Sequence, residues 1–282
     1  MVNIRLKHTF TQICKPKQRA MDDNMYDKLQ SVAKLFSNNF STIDEPIDMK
    51  LQTSYFMRSK KVKEALKDAK PDIDQIADLY DPTLTDEQLM ERMILLSDID
   101  DPRAYRILEE YAQNRDNRLH QWSLMAQQES KMLIEGSLLN ERQIFVSTGL
   151  GGRGHQLRYF VGLIANGIAE FEPYQQHIIQ TEFDSALKTN NSELEHIEFQ
   201  GPYAALTLLI PLDVPFHKVL LSAVEECNQY GNFLKEDFLV TNVRMLTFAD
   251  MDEIVKKRES DGDSDDEGGI DSIFDDIEGG TE

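Results

Sequence analysis

The sequence predicts an α+β chain: a helical N-terminal half, then a layered region of strand–strand–helix units, then an acidic tail. Three observations carry this. Apolar residues recur at helical spacing through residues 84–135. From residue 141 the pattern changes to short β-branched and aromatic runs broken by glycine and proline. Two of the segments that follow, opening at Pro173 and Pro215, repeat one proline–aromatic–polar pattern.

The chain has 282 residues, enough for two domains, and 40% of them are apolar, enough to build real cores. The predicted organisation is a basic arm over 1–20, a helical domain over 21–140, an α+β sandwich over 141–258 and a disordered acidic tail over 259–282. The arm holds five bases (Arg5, Lys7, Lys15, Lys17, Arg19), no acid and no clear period, and reads as solvated. Met25, Leu29, Val32, Leu35 and Phe36 space a helix over 24–40. Residues 41–54 read as a connection around Pro46. The basic stretch Arg58 to Lys70 reads as a helix ended by Pro71.

Residues 84–135 give the clearest helices. Thr85 with Gln88 has capping-box spacing, and Asp101 before Pro102 places a cap next to a first-position proline. Ala104, Ile107, Leu108 and Tyr111 form the face of that second helix. Leu119, Trp122, Met125, Ala126, Met132 and Leu133 continue on a third, which should stop at Gly136. Asp101-Pro102-Arg103-Ala104 opening one helix and Asp116-Asn117-Arg118-Leu119 turning into the next resemble a HEAT-like helical repeat unit over about residues 89–135. That resemblance implies a protein-binding surface of stacked helices. An ordinary helical bundle fits the same residues.

In the C-terminal half, "RQIFVST", "QLRYFVGLIA", "LEHIEFQ" and "YAALTLLIPL" read as strands, with a turn at Gly201-Pro202. Helices open at Pro173 (Ile179, Phe183, Ala186, Leu187) and Pro215 (Phe216, Val219, Leu220, Ala223, Cys227). An added strand covers 238–247, and a short helix closes the domain. Helices on one face of an antiparallel-rich sheet resemble ferredoxin-like ligand-binding and adaptor modules.

Two stretches are candidate sites. Gly149, Gly151 and Gly154 have the G-x-G-x-x-G spacing that cradles a pyrophosphate. The residues after Gly154 favour a strand, and the acid expected about 20 positions on is missing, so a hairpin turn is the better reading. Arg153, His155 and Arg158 would then be displayed at its tip, able to hold an anion or a carboxylate. The second stretch lies in the tail. Residues 259–282 hold eleven acids and no base; the rest of the chain has 39 acids against 30 bases. Neither register of "DGDSDDEGG" puts both glycine and glutamate where a calcium loop needs them. Ile270, Ile273, Phe274 and Ile277 fall at i, i+3, i+4 and i+7, the spacing of a helix that docks into a groove, so a short docking helix is expected over 270–277.

An acidic body disfavours general nucleic-acid coating. No catalytic motif occurs, the six histidines stand apart, and the two cysteines, Cys14 and Cys227, have no metal spacing. The chain has no apolar run long enough to cross a membrane. No cofactor or metal is expected. The first reading is a non-enzymatic cytoplasmic adaptor or regulator that binds a protein partner through the tail helix and the helical domain. The alternatives are a nucleotide or small-molecule sensor using loop 149–154, and an RNA- or ribosome-associated factor using the basic segments.

Overall fold

The computed structural model describes residues 5–7, 11–14, 40–66, 71–139 and 144–261. The expected tail helix with Ile270, Ile273, Phe274 and Ile277 lies outside these residues, as do positions 24–39 of the first predicted helix. The chain mixes helix and strand and divides into two compact units. The described part of the first comprises residues 5–7, 40–66, 71–139 and 144–154; that of the second comprises 11–14 and 155–261. The division at Gly154 falls 14 residues beyond the compositional change at 140/141.

The first unit contains strands β1 (Arg5–Lys7), β3 (Phe40–Ser41) and β4 (Ile144–Ser147), paired in parallel in the order β1-β4-β3. Its helices are α1 (Met49–Leu66), α2 (Ile73–Ile76), α3 (Asp86–Ser97), α4 (Pro102–Gln113) and α5 (His120–Leu139). The caps fall where their residue types require. Thr85 and Gln88 exchange hydrogen bonds in a capping box. The Asp101 carboxylate accepts from the Arg103 amide, with Pro102 opening α4. Leu89, Met93, Ile94 and Leu96 of α3, Leu108 of α4 and Trp122 and Met125 of α5 share one buried core with Tyr55 of α1.

Three sequence expectations are corrected here. The helix expected at Arg58 begins at Met49, because Asp48 caps it: its carboxylate accepts from the Leu51 amide at 2.8 Å. Pro46 stands ahead of that cap and does not prevent it. Gly136 does not stop α5, which runs on to Leu139; an isolated glycine costs a helix only about 1 kcal/mol. The basic arm is not wholly solvated, because Arg5–Lys7 and Thr11–Cys14 are hydrogen-bonded strands. Pairing with distant partners overrides the lack of local period.

The second unit is a curled antiparallel sheet with helices on both faces, which corrects the expectation of helices on one face only. Its strands are β2 (Thr11–Cys14), β6 (Gln156–Ala165), β7 (Glu193–Gln200), β8 (Tyr203–Pro211) and β9 (Leu234–Thr241), in the order β2-β9-β6-β8-β7. The chain runs β6, α6 (Pro173–Thr189), β7, β8, α7 (Phe216–Asn228), β9, α8 (Phe248–Asp261). Short strand β5 (Gly152–Arg153) precedes β6. The expected first strand pair is corrected: β4 belongs to the small parallel sheet, not to the sheet of β6. The added strand is also corrected. It spans Leu234–Thr241, ends at buried Thr241 and Asn242, and pairs with β6 inside the sheet.

β6 is buried on both faces, which is why it reads as one apolar run. Tyr159 stacks on Phe216 of α7 at 5.2 Å between ring centroids. Gly162 lies on the other face against α8: a Cβ there would stand 2.6 Å from Met251 Cε. That atom ends a flexible side chain that can give way, so Gly162→Ala is expected to cost no more than about 1 kcal/mol in urea unfolding, the low end of overpacking. Combining it with Met251→Ala should cost less than the sum by at least about 0.5 kcal/mol. Strictly additive costs would show that this contact does not set the glycine.

Candidate functional site

The glycine loop was the first candidate, and its backbone is already engaged. Gly151 takes φ +69°, and a Cβ there would stand 2.5 Å from the Ile43 carbonyl oxygen, 2.8 Å from that of Glu45 and 3.1 Å from that of Asp44. The loop is thus backed by three acceptors, which repel a phosphate. The Gly152 amide donates to Ile43 O at 2.9 Å and the Gly151 amide to Thr148 O at 3.3 Å. Gly149 is buried. Gly154, with φ +61°, makes a turn with His155 and has open space around it. A ten-residue strand follows, so no helix N-terminus is directed at the loop.

Arg153 and His155 are exposed. Arg158 is not displayed at the tip, which corrects the sequence expectation. It lies on β6, largely buried, and its guanidinium donates through Nε and Nη2 to both carboxylate oxygens of Glu195 on β7. A bidentate pair of this kind fixes the side chain across the sheet. The structure therefore does not gather the six loop residues into one site.

A different helix organises the first unit. Tyr55, Ser59 and Lys63 recur every four residues on one face of α1 and all reach Glu129 of α5. Tyr55 Oη donates to Glu129 at 2.7 Å, Ser59 Oγ at 3.2 Å and Ser97 Oγ of α3 at 3.0 Å. Lys63 Nζ lies 3.0 Å from both Glu129 and Asp98. Burial, reinforced by the Glu129 charge, pushes the Tyr55 phenol well above its ordinary value. Burial pulls the Lys63 ammonium down, but Glu129 and Asp98 outweigh it and leave the pKa raised. The carboxylate thus holds α1 against α3 and α5, with donors buried around it. Gln52 adds a second tie, donating to the carbonyls of Ile47 and Thr148.

With that face pinned inward, the opposite face of α1 lines an open groove of about 1150 Å³ shared with α3. Met49, Thr53 and Met57 follow one another at four-residue spacing, and Val62, Leu66 and Leu95 extend the apolar floor. Met57 is 69% exposed. Lys50, Arg58 and Lys61 stand along the groove with one acid, Glu91. Arg58 bridges from α1 to α3, donating to the Glu87 carbonyl at 2.9 Å. The groove is therefore cationic within a chain of net charge −20.

Sequence reasoning missed this groove because it places residues 41–54, with Met49 and Thr53, in a connection. The available signal was Asp48 as a cap followed by Met49, Thr53 and Met57. It also reads Arg58 to Lys70 as a basic helix open to RNA, whereas Arg58 and Lys63 are engaged within the unit.

Other reactive side chains sit in structural positions. Burial pushes the Cys227 thiol up to about 12, which keeps it protonated and unreactive at neutral pH. His196 is paired with Glu198 on exposed β7. Among the described residues no group of three histidine, cysteine or acidic side chains is placed to hold a metal ion, and no helix is long and apolar enough to cross a membrane. The chain matches no known protein family and no curated protein.

Proposed function

We propose that this protein is a non-enzymatic cytoplasmic adaptor whose α1–α3 groove captures an amphipathic helix with an apolar stripe and acidic flanks. The observation that carries this is the exposed Met57 in an apolar groove that Lys50, Arg58 and Lys61 also line. Methionine adapts to differently shaped apolar partners, and flanking bases select acidic ones. The HEAT-like sequence of the α4–α5 pair accords with a protein-binding role. The order β6-α6-β7-β8-α7-β9 supports reading the second unit as ferredoxin-like, a scaffold compatible with many functions. The ties of Arg58 and Lys63 to their own unit leave less of the basic stretch for RNA.

The test uses a fluorescein-labelled synthetic helix with a leucine stripe and glutamate flanks, titrated into the full-length chain. Met57→Asp should weaken binding on the order of tenfold, since it places a carboxylate on the apolar floor. Lys61→Glu should weaken it and flatten its salt dependence. Peptide binding that is indifferent to both substitutions would refute this reading.

A further inference from the structure

We infer that the natural occupant of the α1–α3 groove is the chain's own acidic segment 270–277. This rests on the reading of the groove as a helix-binding site. The two surfaces complement each other in charge and in length. Lys50, Arg58 and Lys61 line the groove. The segment carries Asp271, Asp275 and Asp276, with Glu278 next to it, and residues 259–282 contain no base to oppose them. In helical form, the stripe from Ile270 to Ile277 spans about 10 Å, close to the roughly 12 Å between Met49 and Met57 along α1. Glycine pairs at 268–269 and 279–280 bound the segment to this length.

Phe274 has the bulk to fill an apolar floor of methionine, leucine and valine. The described chain ends at Asp261, and only eight residues separate it from Ile270. An external partner must then compete with the tail segment for the groove. The adaptor is held closed by its own tail, and a partner engages by displacing that tail.

The experiment uses a fluorescein-labelled peptide of residues 266–281 and three full-length proteins: wild type, Ile273→Asp with Phe274→Asp, and that tail variant with Lys61→Glu. The tail variant should bind the peptide on the order of tenfold more tightly than wild type, because its own segment no longer competes. Adding Lys61→Glu should remove most of that gain. Equal binding by wild type and the tail variant would overturn occupancy by the tail while leaving the groove reading intact. No binding to the tail variant, or binding insensitive to Lys61→Glu, would overturn both. A dimer formed by wild type and lost in the tail variant, seen by sedimentation, would assign the segment to a neighbouring copy and overturn the intrachain assignment. The exposed position of Lys61 makes misfolding a poor explanation for lost binding, and matching circular dichroism of the three proteins checks it.

Discussion

Glu129→Ala is expected to lower the unfolding free energy of the first unit by about 3–5 kcal/mol, the cost of taking a largely buried carboxylate away from its hydroxyl donors and from one side of Lys63. The hydroxyls of Tyr55 and Ser59 lose their acceptor together, and that of Ser97 keeps only the Ile94 carbonyl. Lys63 keeps only Asp98. Glu129→Gln preserves the shape and one acceptor oxygen, so its cost should be nearer 2 kcal/mol, roughly that of a charged hydrogen bond. Urea unfolding followed by circular dichroism measures both. Equal losses for the two variants would show that shape matters at this position and charge does not.

The same cluster sets a direction for alkaline pH. The folded Lys63 and Tyr55 both hold their protons more tightly than the unfolded chain does. Their contribution is therefore complete below the ordinary values of 10.0 for Tyr55 and 10.5 for Lys63. It is lost as pH rises above them, because the unfolded state releases those protons first. Stability should fall from about pH 10 upward, and less steeply in Lys63→Met.

Gly151→Ala is the second large effect, at about 2–5 kcal/mol. The left-handed backbone costs a non-glycine residue about 1–2 kcal/mol, and overpacking adds about 1–3 kcal/mol. The obstacle is main-chain oxygen from Ile43 and Glu45, which cannot rotate aside as a side chain can. Gly154→Ala shares the backbone term, with φ +61°, but meets open space, so about 1–2 kcal/mol is expected. Thermal or urea unfolding of the two variants separates them. Equal costs would mean that close packing is not what reserves position 151 for glycine.

These sites also show which features could be read from sequence. Thr85 with Gln88, and Asp101 with Pro102, announce helix starts through contacts three residues or fewer apart, so the local sequence suffices. β6 and β8 were legible because inner strands are nearly uniformly apolar. Glu129 was not. It is one acid within a polar run of a helix, and its importance comes from residues 32 to 74 positions away. Arg158 was misjudged for the same reason, since Glu195 lies 37 positions further on. The groove was half legible: its basic residues were noticed, but the cap that lengthens α1 was not. The docking stripe 270–277 is legible only as a spacing, because it lies beyond the described residues.

The two N-terminal strands carry a consequence for how the chain is made. Arg5–Lys7 pairs with Phe145–Ser147, and Thr11–Cys14 pairs with Phe238–Thr241. These segments leave the ribosome before their partners, which are synthesised about 140 and 230 residues later. Such long-range closure is slow, and neither sheet can be completed co-translationally until its late strand emerges. During that interval β1 and β2 have no strand to pair with, and their backbone groups are open to other chains.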